Sequence, residues 1–357
     1  MSALVLSPQS AALDHLCERL ARSANDRQTV SDWPAEALQW CADAGVYRWF
    51  LPKSVGGLEW DVEDQTRGFL RLAAADLTTT FVITQAIGAC RRIAGSPNSS
   101  VAEQWLPRLL QGTAHPTVGI SHLTTSRQHL REPVLRAEAS GSGFRVSGFS
   151  PWVTAAPYAD LFVVGATLRS GEQLLAAIPA DAEGVKPSPG TSLVALSASC
   201  TARVDFDNVF AQGEQVLAGP IENVMQGGTG GMTGGIQTSA LAIGLAKAAI
   251  EFLSVESERR EDLQDIAGRM LEDVQQVEAT LLSAAAGNPA CDLAELRGEA
   301  NRLVLRATQA ALMSAKGAGY VAGHPVGRWC QEALFFLVWS CPQPVAQSHL
   351  CELAGLS

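Results

Sequence analysis

The chain is poor in charge and in tyrosine. Of its 357 residues, 17% are Asp, Glu, Lys or Arg and three are Tyr, whereas 47% are hydrophobic. That composition excludes intrinsic disorder and calls for extensive buried helix surface, part of it suited to subunit contacts. Basic runs are missing and the formal net charge is -10, so nucleic acid has no electrostatic footing as a partner. No uninterrupted apolar run reaches the roughly 18 residues of a membrane span. The opening MSALVLSPQSAALDHL has neither the charged start nor the apolar core of a signal peptide, so the expectation is a cytoplasmic location without a membrane span. The eight cysteines (Cys17, Cys41, Cys90, Cys200, Cys291, Cys330, Cys341, Cys351) form no CxxC, which favours reduced core thiols over a zinc site. The six histidines (His15, His115, His122, His129, His324, His349) also lack metal-ligand spacing; no metal is expected.

What is present falls into three parts. From Ser10 to about Leu110, apolar residues recur at helical spacing, as in AALDHLCERLA and WPAEALQWCADAG. In the second of these Asp32 suits a cap, Pro34 a first turn and Gly45 a stop. LPKSVGG reads as a turn, and DQTRGFLRLAAADLTTTFVITQAIGACRRIA as a third helical region. Near Gly112 the period changes to two. TVGIS, PVLRAEA, FRVSG, ADLFVVGATL, LLAAIP and TARVDFDNV are short, β-branched and separated by Gly, Pro and Ser, as in an antiparallel sandwich or barrel. Beyond GGTGGMTGG the pattern is helical again, in four segments ending with GRWCQEALFFLVWS. The expected fold class is α+β multidomain. It has an N-terminal helical domain (residues 1–114), a middle antiparallel β-barrel or sandwich (115–219) and a C-terminal four-helix bundle (220–357).

Motif chemistry alone specifies no reaction. GGTGGMTGG lacks GxxxxGK[ST] and a preceding strand, so an interdomain linker explains it better than a phosphate cradle. Gly317-Ala318-Gly319 follows a helix where a dinucleotide-binding turn follows a strand. No GxSxG elbow exists, and the carboxylate clusters EDLQD and LEDVQQVE sit among polar helix positions expected of a solvated face.

Five landmarks in order give more. LPKSVGG resembles a PEEYGG turn, and EQWLPRLLQG resembles the segment leading into a β domain. FRVSGFSPWVTAAPYADLFVVGA resembles Y-x-x-x-G-x-K-x-W-I-T-N-x-x-x-A-D, TARVDFDNV resembles V-x-F-D-x-V, and GAGYVAGHPVGR resembles GGxGF…YPxER. Together they resemble the acyl-CoA dehydrogenase superfamily over nearly the whole chain. The resemblance implies that fold and a flavin, FAD in the first instance, with FMN or a loosely held reduced flavin as the alternative. It sets Trp152, Val153 and Thr154 on the flavin-flanking strand, where alternation puts residues 152 and 154 on one face, with the Thr154 hydroxyl at the N5 edge. It sets Thr124, from HLTTS, at the pyrimidine end. Arg259, Gly317 and Gly319 fall where cofactor phosphates are met across a subunit boundary. A homo-oligomer, dimer or tetramer, follows from that and from the apolar bundle.

Departures from the family pattern bear on the chemistry. The family's dehydrogenases use a Glu base; that position falls on Ser340, and the alternative one on Gly234 or Gly235, none of which is basic. SRQHL stands where the family has an AGSD phosphate loop. Cys341 and His122 are candidate polar partners near the ring, with core packing as the competing role for each, and Trp339, Phe335 and Phe336 are candidate walls. Three functions remain open at this level. The first is a flavin-dependent oxidoreductase acting on an acyl-thioester-like or small apolar substrate, with an electron acceptor as partner. The second is a reduced-flavin monooxygenase fed by a flavin reductase, which the PWVT form of the motif resembles. The third is a non-catalytic partner subunit of an active paralogue.

Overall fold

The computed structural model describes residues 3–124, 132–226 and 235–356. Its N-terminal part is five helices: α1 Ala11–Ala24, α2 Ala35–Asp43, α3 Val62–Ala75, α4 Leu77–Ala94 and α5 Ser99–Leu110. α1 buries Leu13, Leu16, Leu20 and Ala24, the stripe that three-to-four spacing demands. Asp32 closes the turn before α2, accepting from the Gln28 and Thr29 amides, and is not its cap. The third helical region is two helices, because Asp76 takes an extended backbone (φ -156°, ψ 99°) and its carboxylate accepts from the Thr79 amide at 3.1 Å. One buried residue thus ends α3 and caps α4, and it is paired with Arg27.

Eight strands follow: β1 Pro116–Gly119, β2 Leu135–Ser140, β3 Gly143–Val153, β4 Leu161–Leu168, β5 Gln173–Pro179, β6 Val185–Pro187, β7 Ala202–Gln212 and β8 Val216–Ile221. A short helix, α6 Ser121–Thr124, lies between β1 and β2. The strands form one mixed sheet in the order β6-β7-β3-β2-β4-β5-β8, and β1 also pairs with β4. Most pairings are antiparallel, as the short spacers lead one to expect; β1–β4 and β2–β4 are parallel, the long path through β2 and β3 supplying the crossover. β6 and β8 escape sequence reading because one is three residues long and the other carries Gly219-Pro220, a turn signal. The apolar run of β4 is explained by two cores. Phe162 and Val164 enter the sheet's own core, whereas Leu161 and Val163 face the helices.

The C-terminal part comprises α7 Ile236–Ser257, α8 Gln264–Ala285, α9 Leu293–Gly319, α10 Pro325–Leu334 and α11 Gln343–Leu353. α7 packs on α3, α8 and α9. A Cβ on Gly244 would stand 2.5 Å from the Leu70 carbonyl oxygen, so only glycine lets α7 meet α3 this closely. α7 is long and apolar enough to span a membrane, but 67% of its apolar window is buried inside the protein. α9 breaks at Lys316 (φ 54°, ψ -144°) just before Gly317. GRWCQEALFFLVWS is not one helix. α10 stops at Leu334, a single 3-10 turn covers Phe335–Leu337, and Ser340 sits at φ 46°.

Candidate active site

Where α4, β1, the end of β3 and the turn after α10 converge, they enclose a cavity of about 770 Å³. The strand that forms one wall is shaped by its own sequence. Pro151 cannot donate to a ladder, and the β3–β7 register shifts between Ser150 and Val153, the bulge at which a proline is tolerated inside a sheet. Trp152 is turned into the cavity and is 52% exposed, whereas Val153 is fully buried in the sheet core. Thr154 comes back to the cavity and is 4% exposed. Ala155 then takes a left-handed backbone (φ 60°) and ends the strand.

Thr154 sits in a line of hydroxyls. Thr117 donates to its carbonyl at 2.8 Å, Thr201 Oγ1 donates to its Oγ1 at 3.2 Å, and Ser199 stands 2.9 Å from Thr201. Because Thr201 supplies the proton of that middle bond, the Thr154 proton is left for the cavity. Nearby, Thr124 and Ser121 line the same wall; Thr124 donates to the Ser121 carbonyl at 3.2 Å, and the buried Ser121 Oγ has no hydrogen-bond partner among the described residues. An orphaned buried hydroxyl in a cavity wall asks for a polar ligand.

The opposite wall is aromatic. Phe335 and Trp339 stack with centroids 5.0 Å apart, and Phe81 meets both edge-on at 4.9 and 5.0 Å. Phe336, expected in this wall, is fully buried and turned into the bundle. Its carbonyl accepts from Asn301 at 3.1 Å and, with that of Trp339, from fully buried Arg297 at 3.0 Å each. Arg297 also donates to Asn301 at 2.9 Å, and its Nη1 has no partner among the described residues. Burial brings its guanidinium down to about 10. Sequence reading gave no sign of this clamp, since it joins residues of α9 to a turn some 40 positions later.

Both positions that the resemblance sets at a base reach the cavity: Ser340 lines it, and so does Gly235; Gly234 lies outside the described residues. No Asp or Glu lines the cavity among the described residues, and residues 1–2, 125–131, 227–234 and 357, outside them, contain none either. Cys341 lines the cavity as well; burial raises its thiol, opposed by Arg297, so it is a neutral thiol near pH 7. His122 is not in the cavity wall. Its Nε2 donates to the Gly165 carbonyl at 2.7 Å, its Nδ1 is buried without a partner among the described residues, and burial lowers its pKa. Arg259 is exposed beyond α7, and Gly317 and Gly319 lie past the break in α9; none of the three lines the cavity. SRQHL falls outside the described residues. No three His, Cys, Asp or Glu among the described residues are grouped to hold a metal.

Residues 9–113 match the acyl-CoA dehydrogenase, N-terminal domain, family. No curated protein matches the sequence. Among solved structures, a chain from the electron transferring flavoprotein work on Acidaminococcus fermentans is similar at TM-score 0.82 and 17% identity, covering 95% of each chain. Butyryl-CoA dehydrogenase from Megasphaera elsdenii is similar at TM-score 0.80 and 18% identity, over 97% of this chain and 96% of that one. A nitrososynthase from Micromonospora carbonacea var. africana is similar at TM-score 0.75 and 20% identity, over 96% and 94%. Identities this low establish a shared fold.

Proposed function

We propose that this chain, whose residues 9–113 match the acyl-CoA dehydrogenase N-terminal domain family and whose fold is shared with butyryl-CoA dehydrogenase, is a member of that superfamily and a flavin-dependent oxidoreductase working without a carboxylate base. The single observation that carries this reading is the cavity itself. It has an indole and a free hydroxyl proton on one wall, stacked aromatics on the other, and no carboxylate among the described lining.

The residues fit a flavin. Trp152 would flank the ring, Thr154 would offer its proton to the ring edge, and Thr124 with the partnerless Ser121 hydroxyl would meet the polar pyrimidine end. Val153, locked in the sheet core, keeps that strand face fixed. When bound, the flavin supplies the electron-transfer chemistry, and this chain supplies orientation and exclusion of water. Arg259, Gly317 and Gly319 are proposed to meet the FAD phosphates of a second copy in a homo-oligomer.

Dehydrogenation of an acyl thioester needs a group to take the α-proton. Ser340 has no useful basicity, and the Cys341 thiol is raised by burial. Oxygen-dependent turnover of reduced flavin, supplied by a reductase, needs no such base and suits an apolar, water-poor wall. That form is favoured over thioester dehydrogenation. The test is titration of purified protein with FAD and FMN, oxidised and reduced, followed by oxygen-uptake and acyl-CoA bleaching assays. Tighter binding of reduced flavin with oxygen consumption is expected. Anaerobic bleaching by an acyl-CoA would restore the dehydrogenase reading, and no flavin binding in any state would leave a non-catalytic partner subunit.

A further inference from the structure

The cavity holds one ionised side chain among its described lining, Arg92, on the same face of α4 as Phe81, Thr84, Gln85 and Gly88. Arg92 is 8% exposed. One of its N–H groups donates to the Gly88 carbonyl at 2.8 Å, which is the helix's own backbone, and no ion pair joins it to a carboxylate among the described residues. Burial, with the like charge of the neighbouring Arg91 adding to it, brings the guanidinium down to about 10. Other buried or half-buried arginines here have different duties. Arg27 is paired with Asp76, Arg328 with Glu332, and Arg297 holds two carbonyls of the aromatic turn. Among the described residues Arg92 has no structural bond beyond its own helix that accounts for its burial, and taking a guanidinium out of water is costly unless an anion meets it.

We propose that Arg92 is the anchor for a carboxylate group on the substrate, so that this protein acts on a carboxylate-bearing small molecule. The planar fork of a guanidinium accepts a carboxylate through two parallel N–H bonds. One cation with no second positive side chain in the described lining balances a single negative charge, which favours a carboxylate over a phosphate dianion. Along α4 the reach from Phe81 to Arg92 is about 16 Å at 1.5 Å per residue. The anion is therefore held at the far end of the helix face from the aromatic cluster, and the apolar body of the substrate lies between them. Thr84 and Gln85, bonded to one another at 3.0 Å, line that path.

This inference rests on the proposed function for the identity of the cavity, and its test separates the two. Pentanoate and its uncharged isostere pentanamide are titrated calorimetrically into the full-length protein, wild type and Arg92→Met, alongside a titration with FAD and with FMN. Pentanoate should bind wild type about tenfold to a hundredfold more tightly than pentanamide, the range for a charge-assisted pair. That preference should vanish in Arg92→Met while flavin affinity stays within about twofold. Equal affinity of wild type for acid and amide overturns the proposal without any variant, so a misfolded Arg92→Met does not shield it. Loss of flavin binding in Arg92→Met comparable to the loss of pentanoate binding also overturns it, assigning Arg92 to the cofactor. A pentanoate preference in a protein that binds no flavin supports the anchor and removes the oxidoreductase reading alone.

Discussion

Arg297→Met tests whether the aromatic wall is held by the buried clamp. The side chain is fully buried, and its Nη2 donates to two carbonyls at 3.0 Å while its Nε donates to Asn301 at 2.9 Å. Hydrogen bonds from a charged donor contribute about 1.5–3 kcal/mol each, so the two that reach the turn stabilise it by about 3–6 kcal/mol. Opposing this, a guanidinium brought down to about 10 by burial carries a desolvation cost on the order of 3 kcal/mol. Methionine fills much of the volume and removes that cost. The Phe336 carbonyl keeps Asn301 as donor, and the Trp339 carbonyl loses the donor it has here. The net expectation is a loss of about 1–3 kcal/mol, read from urea unfolding followed by far-ultraviolet circular dichroism. Flavin affinity should fall about tenfold, because Phe335 and Trp339 are no longer fixed relative to Phe81. A variant as stable as wild type, with unchanged flavin affinity, would falsify the clamp.

Thr154→Ala should shift the visible absorption of bound flavin and weaken its binding by about 1 kcal/mol; Thr154→Ser should preserve both, and identical spectra for all three proteins would move the ring elsewhere. Trp152→Ala removes a half-exposed indole that supports no core, so flavin affinity should drop with the melting temperature nearly unchanged; a large fall in melting temperature would make Trp152 a packing residue. Gly244→Ala places a methyl 2.5 Å from a backbone oxygen and should cost about 1–3 kcal/mol, measured by thermal unfolding; a neutral result would mean α3 and α7 separate easily. Burial lowers His122 against its bond to Gly165, and lowers His115 against Asp160. Both are harder to protonate folded than unfolded, so their contribution is full above the unfolded value of about 6.5 and is lost as pH falls through the folded value. The melting temperature should therefore decline on acidification below about pH 6.5, and His122→Gln should flatten that decline.

The three-part order was legible because each part has its own period: 3.6 through α1 to α5, near 2 through most strands, then 3.6 again. Trp152 and Thr154 were singled out by the family resemblance; alternation about the buried Val153 adds only that both share one face, and both line the cavity. The failures have physical causes. The α3–α4 break hides inside a continuous helical pattern, because Asp76 is a single polar residue whose pairing with Arg27 comes from 49 residues upstream. GRWCQEALFFLVWS carries helical periodicity throughout, yet Arg297 and Asn301 take the carbonyls of Phe336 and Trp339 that a continuing helix would have used. The burial of Arg92 was not legible, because a lone arginine near a helix end reads as solvated, and tertiary packing leaves it 8% exposed in the cavity wall.

Ser340 and Gly235 bear most directly on what chemistry this fold performs. They stand where the two alternative bases of the family are expected, and they come from chain segments over 100 residues apart, yet both reach one cavity. A carboxylate displaced to another wall would have left an Asp or Glu elsewhere in the described lining, and there is none. The described lining therefore offers no carboxylate as proton acceptor. What is ionised in the described lining is Arg92, a cation toward the other end of α4. On the function proposed above, such a site binds an anion and shelters a redox ring, and its reaction draws its proton acceptor from the substrate, the cofactor or oxygen.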